Sequence, residues 1–139
     1  MKRFCIVTGL FAALTCSTIY AQDSTVLKAT IPFAFHLGNL MLPAGDYEIS
    51  QKTGPGILLL RQTPSGRGVG LAFSIPDVRS TNEQEGKLVF HRYGNTYFVA
   101  ALWRPGMRDG RTLVPCRKEK EYRIASTPYQ MAWVPLFRR

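Results

Sequence analysis

The residues able to do chemistry in this chain are few and scattered. His36 and His91 are its two histidines, and neither stands in an H-x-H or H-x-x-E-H cluster that would hold a metal before anything else folds. Nothing in their spacing calls for a metal or a cofactor. The chain has no G-x-S-x-G elbow, P-loop or dinucleotide fingerprint. A nucleophilic site would have to be assembled in space, from Ser74, one histidine, and Asp46 or Asp77. Gly66-Arg67-Gly68-Val69-Gly70 is rich in glycine but leads into a strand pattern, so it lacks the helix N-terminus that cradles a phosphate. It reads as a turn.

A second constellation is aromatic and basic. Arg92, Tyr93, Tyr97, Trp103 and Arg104 fall within one short stretch, and guanidinium groups stacked on rings suit sugars and anionic groups. These five are the candidate ligand-binding residues. The competing interpretation makes Tyr97 and Trp103 core residues with Arg92 packed across them.

Where such a surface would work is set by the N-terminus. Met1-Lys2-Arg3 is a positive start, residues 4–14 are apolar, and residues 17–21 form a small and polar approach to a cleavage point before Gln22. That is the pattern of a secretory signal peptide over residues 1–21. A membrane anchor needs about 20 apolar residues, and Thr15, Cys16, Ser17 and Thr18 interrupt the run too early. The expectation is export, to the periplasm, the cell surface or beyond. Ala13-Leu14-Thr15-Cys16 loosely resembles a lipobox, so an outer-membrane-associated lipoprotein is an alternative.

Eighteen Lys and Arg stand against nine Asp and Glu, a formal net charge of +9, and the chain stays basic without Lys2 and Arg3. For an exported protein the anionic partners within reach are polysaccharides and other envelope components, which places nucleic acid well behind them. Cys5 and Cys16 leave with the signal, so Cys116 has no partner for an internal disulfide. Residues 22–125 read as one domain, with residues 126–139 as a basic and aromatic tail.

The elements that must position these residues read as strands. In residues 26–37, Ile31, Phe33, Phe35 and Leu37 fall on one face at period two, with Pro32 marking an edge or a bulge. Turns follow at Gly38-Asn39 and at Leu42-Pro43-Ala44-Gly45, then a strand over residues 46–51 with Tyr47 and Ile49 inward. Gly54-Pro55-Gly56 precedes the apolar run of residues 57–61, and Val69, Leu71 and Phe73 alternate with Gly70, Ala72 and Ser74. Residues 76–86 read as a polar surface loop, and residues 104–111 as a loop rich in Gly and Arg.

The clearest hairpin spans residues 87–103 around a two-residue loop, Gly94-Asn95, of the II′ kind. Strict pairing from that loop sets Arg92 opposite Tyr97, Phe90 opposite Val99 and Leu88 opposite Ala101 on one face. His91 then faces Phe98 and Val89 faces Ala100 on the other. Both faces are apolar, so the second face, with Val89, Phe98 and Leu102, needs a cover. The tail, through Met131, Trp133 and Phe137, is the expected one. Residues 116–125 are expected to form a short helix with Arg117 and Glu121 at i,i+4 spacing. The whole predicts an all-β fold, a small antiparallel barrel or sandwich of six to eight strands with a short C-terminal helix.

Ile31-Pro32-Phe33-x-Phe35, Leu42-Pro43-Ala44-Gly45-x-Tyr47-x-Ile49, Leu88-Val89-Phe90-His91-Arg92-Tyr93-Gly94 with Tyr97-Phe98 and Trp103, and Gly110-Arg111 before Glu119-Lys120-Glu121 make a pattern. It resembles a family of small exported bacterial β proteins of unassigned function. The resemblance covers roughly residues 1–121 and implies export and a β fold. It transfers no catalytic residue. The functional expectation is an exported, non-catalytic structural or binding module, with a small secreted hydrolase as the alternative from another class. A binding module needs a shallow patch, whereas an enzyme needs a concave site where a histidine and a carboxylate converge.

Overall fold

Alternating burial begins at once: β1 (Leu27–Ile31) buries Leu27, Ala29 and Ile31 and exposes Lys28 and Thr30. The structure is a computed structural model that describes residues 26–51, 56–64, 66, 69–80 and 83–138. The signal-peptide and lipobox readings lie outside the described residues, as do parts of the expected turns at 54–56 and 64–68. The expected strand over 26–37 is interrupted at residues 32–34. Beyond them β2 (Phe35–Leu37) turns through Gly38-Asn39 into β3 (Leu40–Leu42), with Leu37 opposite Leu40. Proline has no N–H for the ladder, and the chain uses the break to leave β1's neighbours for new ones. Phe33, in the break, still packs against the core.

The next strand, β4 (Gly45–Ser50), buries Tyr47 and Ile49 as expected. It pairs with β1 and with β5 (Ile57–Thr63). In β6 (Gly70–Val78) the alternation has one sense only: Gly70, Ala72 and Ser74 face inward while Leu71, Phe73 and Ile75 face out. A Cβ at Gly70 would stand 2.8 Å from Leu37 and 3.3 Å from Leu42, so the interior there has room only for small groups. The expected loop at 76–86 starts later, because Pro76, Asp77 and Val78 continue β6. Its first half pairs with β5 and its second half with β9 (Asp109–Leu113), a strand hidden in the expected Gly and Arg-rich loop.

The hairpin of β7 (Lys87–Tyr93) and β8 (Thr96–Trp103) forms around Gly94, at φ 63°, and Asn95. Its expected register holds from the loop to Phe90 opposite Val99. A β-bulge then shifts it, so that Val89 meets Ala101 and Leu88 meets Leu102. The bulge puts Leu102, not Ala101, into the core, where Leu102 is 1 % exposed. Three extra buried carbons favour that phase by about 2 kcal/mol, against one unpaired residue in the ladder.

The helix α1 (Arg117–Ile124) forms where expected, flanked by Cys116 and Ala125, with Arg117 and Glu121 3.7 Å apart. The tail corrects an expectation. Apart from Tyr129, whose ring packs on His91 and Tyr93, it does not lie over the second face of the hairpin; β10 (Gln130–Pro135) joins the sheet as a further antiparallel strand beside β7, and β11 (Phe137–Arg138) pairs with β1. Val134 and Leu136 enter the core, while Met131, Trp133 and Phe137 stay exposed. Phe137 therefore shields nothing on the hairpin.

The strand order is β10-β7-β8-β9-β6-β5-β4-β1-β11, with β2 and β3 attached through a single parallel bridge from His36 to Phe98. Among the described residues this makes eleven strands, because the first expected strand splits, β3 and β9 form where no strand was expected, and the tail adds two. Over the described residues the fold is all-β with one short helix, and its sheet does not close into a barrel. Yet β10 and β11, at opposite ends of the order, are separated in the chain by Leu136 alone. The sheet curls around one interior built on Phe35, Tyr47, Leu58, Leu60, Phe90 and Leu102.

Candidate functional site

Because β10 extends the sheet instead of covering it, the outer face of β7 and β8 is covered at one end only. There α1 lies against Tyr93 and Phe98: the Tyr122 ring stacks on Tyr93 at 5.0 Å and meets Phe98 edge-on at 5.9 Å. Helices usually dock through an apolar stripe, but in α1 the buried residue is an acid, Glu119, 3 % exposed. Its Oε1 is 2.7 Å from His91 Nδ1, accepts a 3.3 Å hydrogen bond from the Tyr93 hydroxyl, and lies 3.6 Å from Arg123 Nη2. The Tyr129 ring rests on His91 at 4.6 Å. A buried carboxylate is tolerable only with such partners. Burial holds the Tyr93 hydroxyl above its ordinary pKa of 10.0, so it stays a proton donor.

Beyond this cluster the outer face opens into a groove of about 520 Å³. Its floor is Val89, Ala100 and Ala101, its far wall Ile75 and Val114, and its polar end His91, Glu119 and Arg123. The bulge explains the floor. By placing two successive alanines on the outer side, it leaves a depression where strict alternation would have placed Leu102. A second hollow of about 430 Å³ continues past Val89, Trp103 and Met131 to Arg79, Lys87 and Trp133. Cations sit over both indoles: the Arg79 guanidinium 5.3 Å from the Trp103 ring and Lys87 Nζ 4.7 Å from the Trp133 ring. Lys87 also binds Glu83 at 2.9 Å, and that hydrogen bond holds the Glu83 carboxyl below its ordinary pKa.

The five sequence-predicted site residues do not form one surface. Arg92 does sit over Tyr97, 5.5 Å from its ring. But Tyr97 belongs to the inner face, stacked on Phe33 at 3.8 Å, and Arg92 Nε donates to the Gly94 carbonyl. Tyr93 points the other way, buried under α1. Trp103 lines both hollows, and Arg104 Nη2 donates to Gln51 while its Nη1 lies 3.7 Å from Asp109. The hydrolytic combination is likewise not assembled. Ser74 Oγ accepts from Arg111 Nε and donates to the Gly56 carbonyl, Asp46 accepts from Thr30, and Asp77 from Thr112. His36 stacks on Phe98 at 4.9 Å, and burial together with Lys118 holds its pKa below the ordinary 6.5.

What the sequence did not disclose is Glu119, 28 residues from His91. A signal existed: a histidine on an apolar strand face needs a buried partner, and Glu119 sits where the helix first turns. Among the described residues no group of three His, Cys, Asp or Glu is placed to hold a metal ion, and no helix is long and apolar enough to cross a membrane. The fold and site together define an all-β domain with an apolar groove, charged at both ends, on the outside of its sheet. Comparison with protein-family models, curated proteins and solved structures finds no match.

Proposed function

We propose that this protein is an exported, non-catalytic binding module that holds a segment of an anionic envelope polysaccharide in the groove on the outer face of β7 and β8. The observation that carries the reading is the open groove itself. It runs beside two indoles that each lie under a cation, and Trp133 remains 52 % exposed. Sugar rings present apolar C–H faces that suit such indoles, and cations at the rim suit their acidic groups. The basic balance of the chain draws a polyanion toward it. The test is binding of the purified chain to acidic and neutral polysaccharides over a salt series. The reading expects acidic polymers to bind, Trp133→Ala to weaken them, and affinity to fall steeply as salt rises. Equal affinity for neutral polymers at all salt concentrations would overturn it.

One observation favours a second reading, a hydrolase. His91 and Glu119 converge at the groove with Nδ1 engaged, which leaves Nε2 as the ring nitrogen for a ligand. That reading requires turnover of an ester or glycoside that His91→Gln abolishes while the fold melts normally.

A further inference from the structure

Arg79 carries a buried charge that its surroundings compensate only in part. It is 7 % exposed, and among the described residues no carboxylate comes within ion-pair distance of it. Nη2 donates to the carbonyls of Glu85 at 2.9 Å and Arg104 at 3.3 Å. Nε and Nη1 are buried with no hydrogen-bond partner among the described residues. A guanidinium is always charged and carries five N–H donors, so leaving three of them unpaired out of water is unfavourable. Native interiors leave few such groups without a reason. Here the unsatisfied cation lines the hollow that holds the chain's two tryptophans.

The acids nearby do not fill the role. Asp77 also lines the hollow, but its oxygens accept from the Val78 amide at 2.8 Å and the Thr112 hydroxyl at 2.7 Å. Glu83 is taken by Lys87. The backbone of Arg79 is held as well, its N–H on the Arg108 carbonyl at 2.9 Å and its carbonyl accepting from Arg108 Nη2 at 3.4 Å. The guanidinium is thus fixed in place by main-chain contacts with its remaining donors unused. That is the arrangement of a preorganised anion receptor.

We infer that Arg79 is the anchor for a sugar carboxylate, so that the hollow continuing the groove takes a uronic-acid unit with its ring against Trp133 or Trp103 and its carboxylate on Arg79. This rests on the polysaccharide reading above and narrows it to acid sugars. Arg79 is a binding residue here, and Lys87 a second cation held in reserve by Glu83.

The experiment titrates the full chain with oligogalacturonate, its methyl ester and a Glu-rich peptide, read by calorimetry and by tryptophan fluorescence. Oligogalacturonate should bind and quench or shift the emission, and the neutral ester should bind about ten-fold more weakly or worse. Arg79→Gln should bring the acid down to the level of its ester. Glu83→Gln, at an exposed site, should free Lys87 and tighten the acid severalfold, which keeps the test sharp if Arg79→Gln folds poorly. An Arg79→Gln protein that folds normally and still prefers acid to ester as strongly as the parent, with Trp133→Ala weakening the acid, would overturn the Arg79 inference and leave the polysaccharide reading standing, whereas acid and ester binding alike at all salt concentrations would overturn both. No sugar binding at all would overturn both, and tighter binding of the peptide would overturn the sugar class.

Discussion

Replacing Glu119 by alanine puts at risk the contacts of one carboxylate oxygen with His91, Tyr93 and Arg123, and the cost can be worked from the distances. The substitution removes the acceptor of a 2.7 Å contact with His91 and a 3.3 Å bond from Tyr93, both on a covered face. Each polar group left unpaired costs about 1–3 kcal/mol. The pair with Arg123 adds little, because that side chain is largely in solvent. Relief of the buried carboxylate's own desolvation offsets part of the loss. The net expectation is a destabilisation of about 2–4 kcal/mol, and for a domain of this size a fall of roughly 6–20 °C in Tm. Urea unfolding followed by circular dichroism measures it, and hydrogen exchange should show the amides of residues 120–124 opening first. Glu119→Gln, which keeps one acceptor, should lose less than half as much. A Glu119→Ala protein within about 0.5 kcal/mol of the parent, with α1 amides still protected, would refute the claim that this acid docks the helix.

Deleting residues 130–139 removes two strands and two buried side chains, Val134 and Leu136; it should cost at least about 3–6 kcal/mol and leave an aggregating chain with an open β7 edge, seen by light scattering. Gly110→Ala would drive a Cβ into the Trp103 ring and the Leu102 carbonyl, so tryptophan emission should change together with stability. His36, whose folded pKa lies below 6.5, contributes stability that is complete above pH 6.5 and lost as pH falls from there toward the folded value, since only the unfolded chain takes up the proton. His36→Phe should flatten the pH dependence of stability in that window, and an unchanged slope would contradict the assignment.

Much of the fold was legible because period two needs only neighbouring residues. Tyr47 and Ile49 announce a half-buried strand, and Gly94-Asn95 sets the hairpin by the sign of one φ angle. The bulge was not legible. Strict alternation treats Ala100, Ala101 and Leu102 as interchangeable beads, whereas the choice between them depends on which residue fills the interior opposite Leu88. The tail was misread for a related reason: its aromatics Trp133 and Phe137 look like core, but the small Ala132 and the aliphatic Val134 and Leu136 are what the curled sheet admits. The site suffered most. Grouping Tyr93 and Trp103 with Tyr97 assumes that residues near in sequence share a face, whereas Tyr97 lies on the inner face, Tyr93 beside Glu119 and Trp103 beside Arg79. Arg79 stood in a polar run with no periodic signal, and its isolation from any carboxylate exists only in three dimensions.

Shift mapping by nuclear magnetic resonance of the labelled chain with oligogalacturonate tests the central claim most directly, because it locates the ligand without presuming its anchor. The account predicts that the perturbed signals gather at Val89, Ala100, Ala101, Trp103 and Met131, the residues that line the outer groove. Perturbations confined to Arg92 and Tyr97 on the other face, or none at saturating ligand, would contradict it.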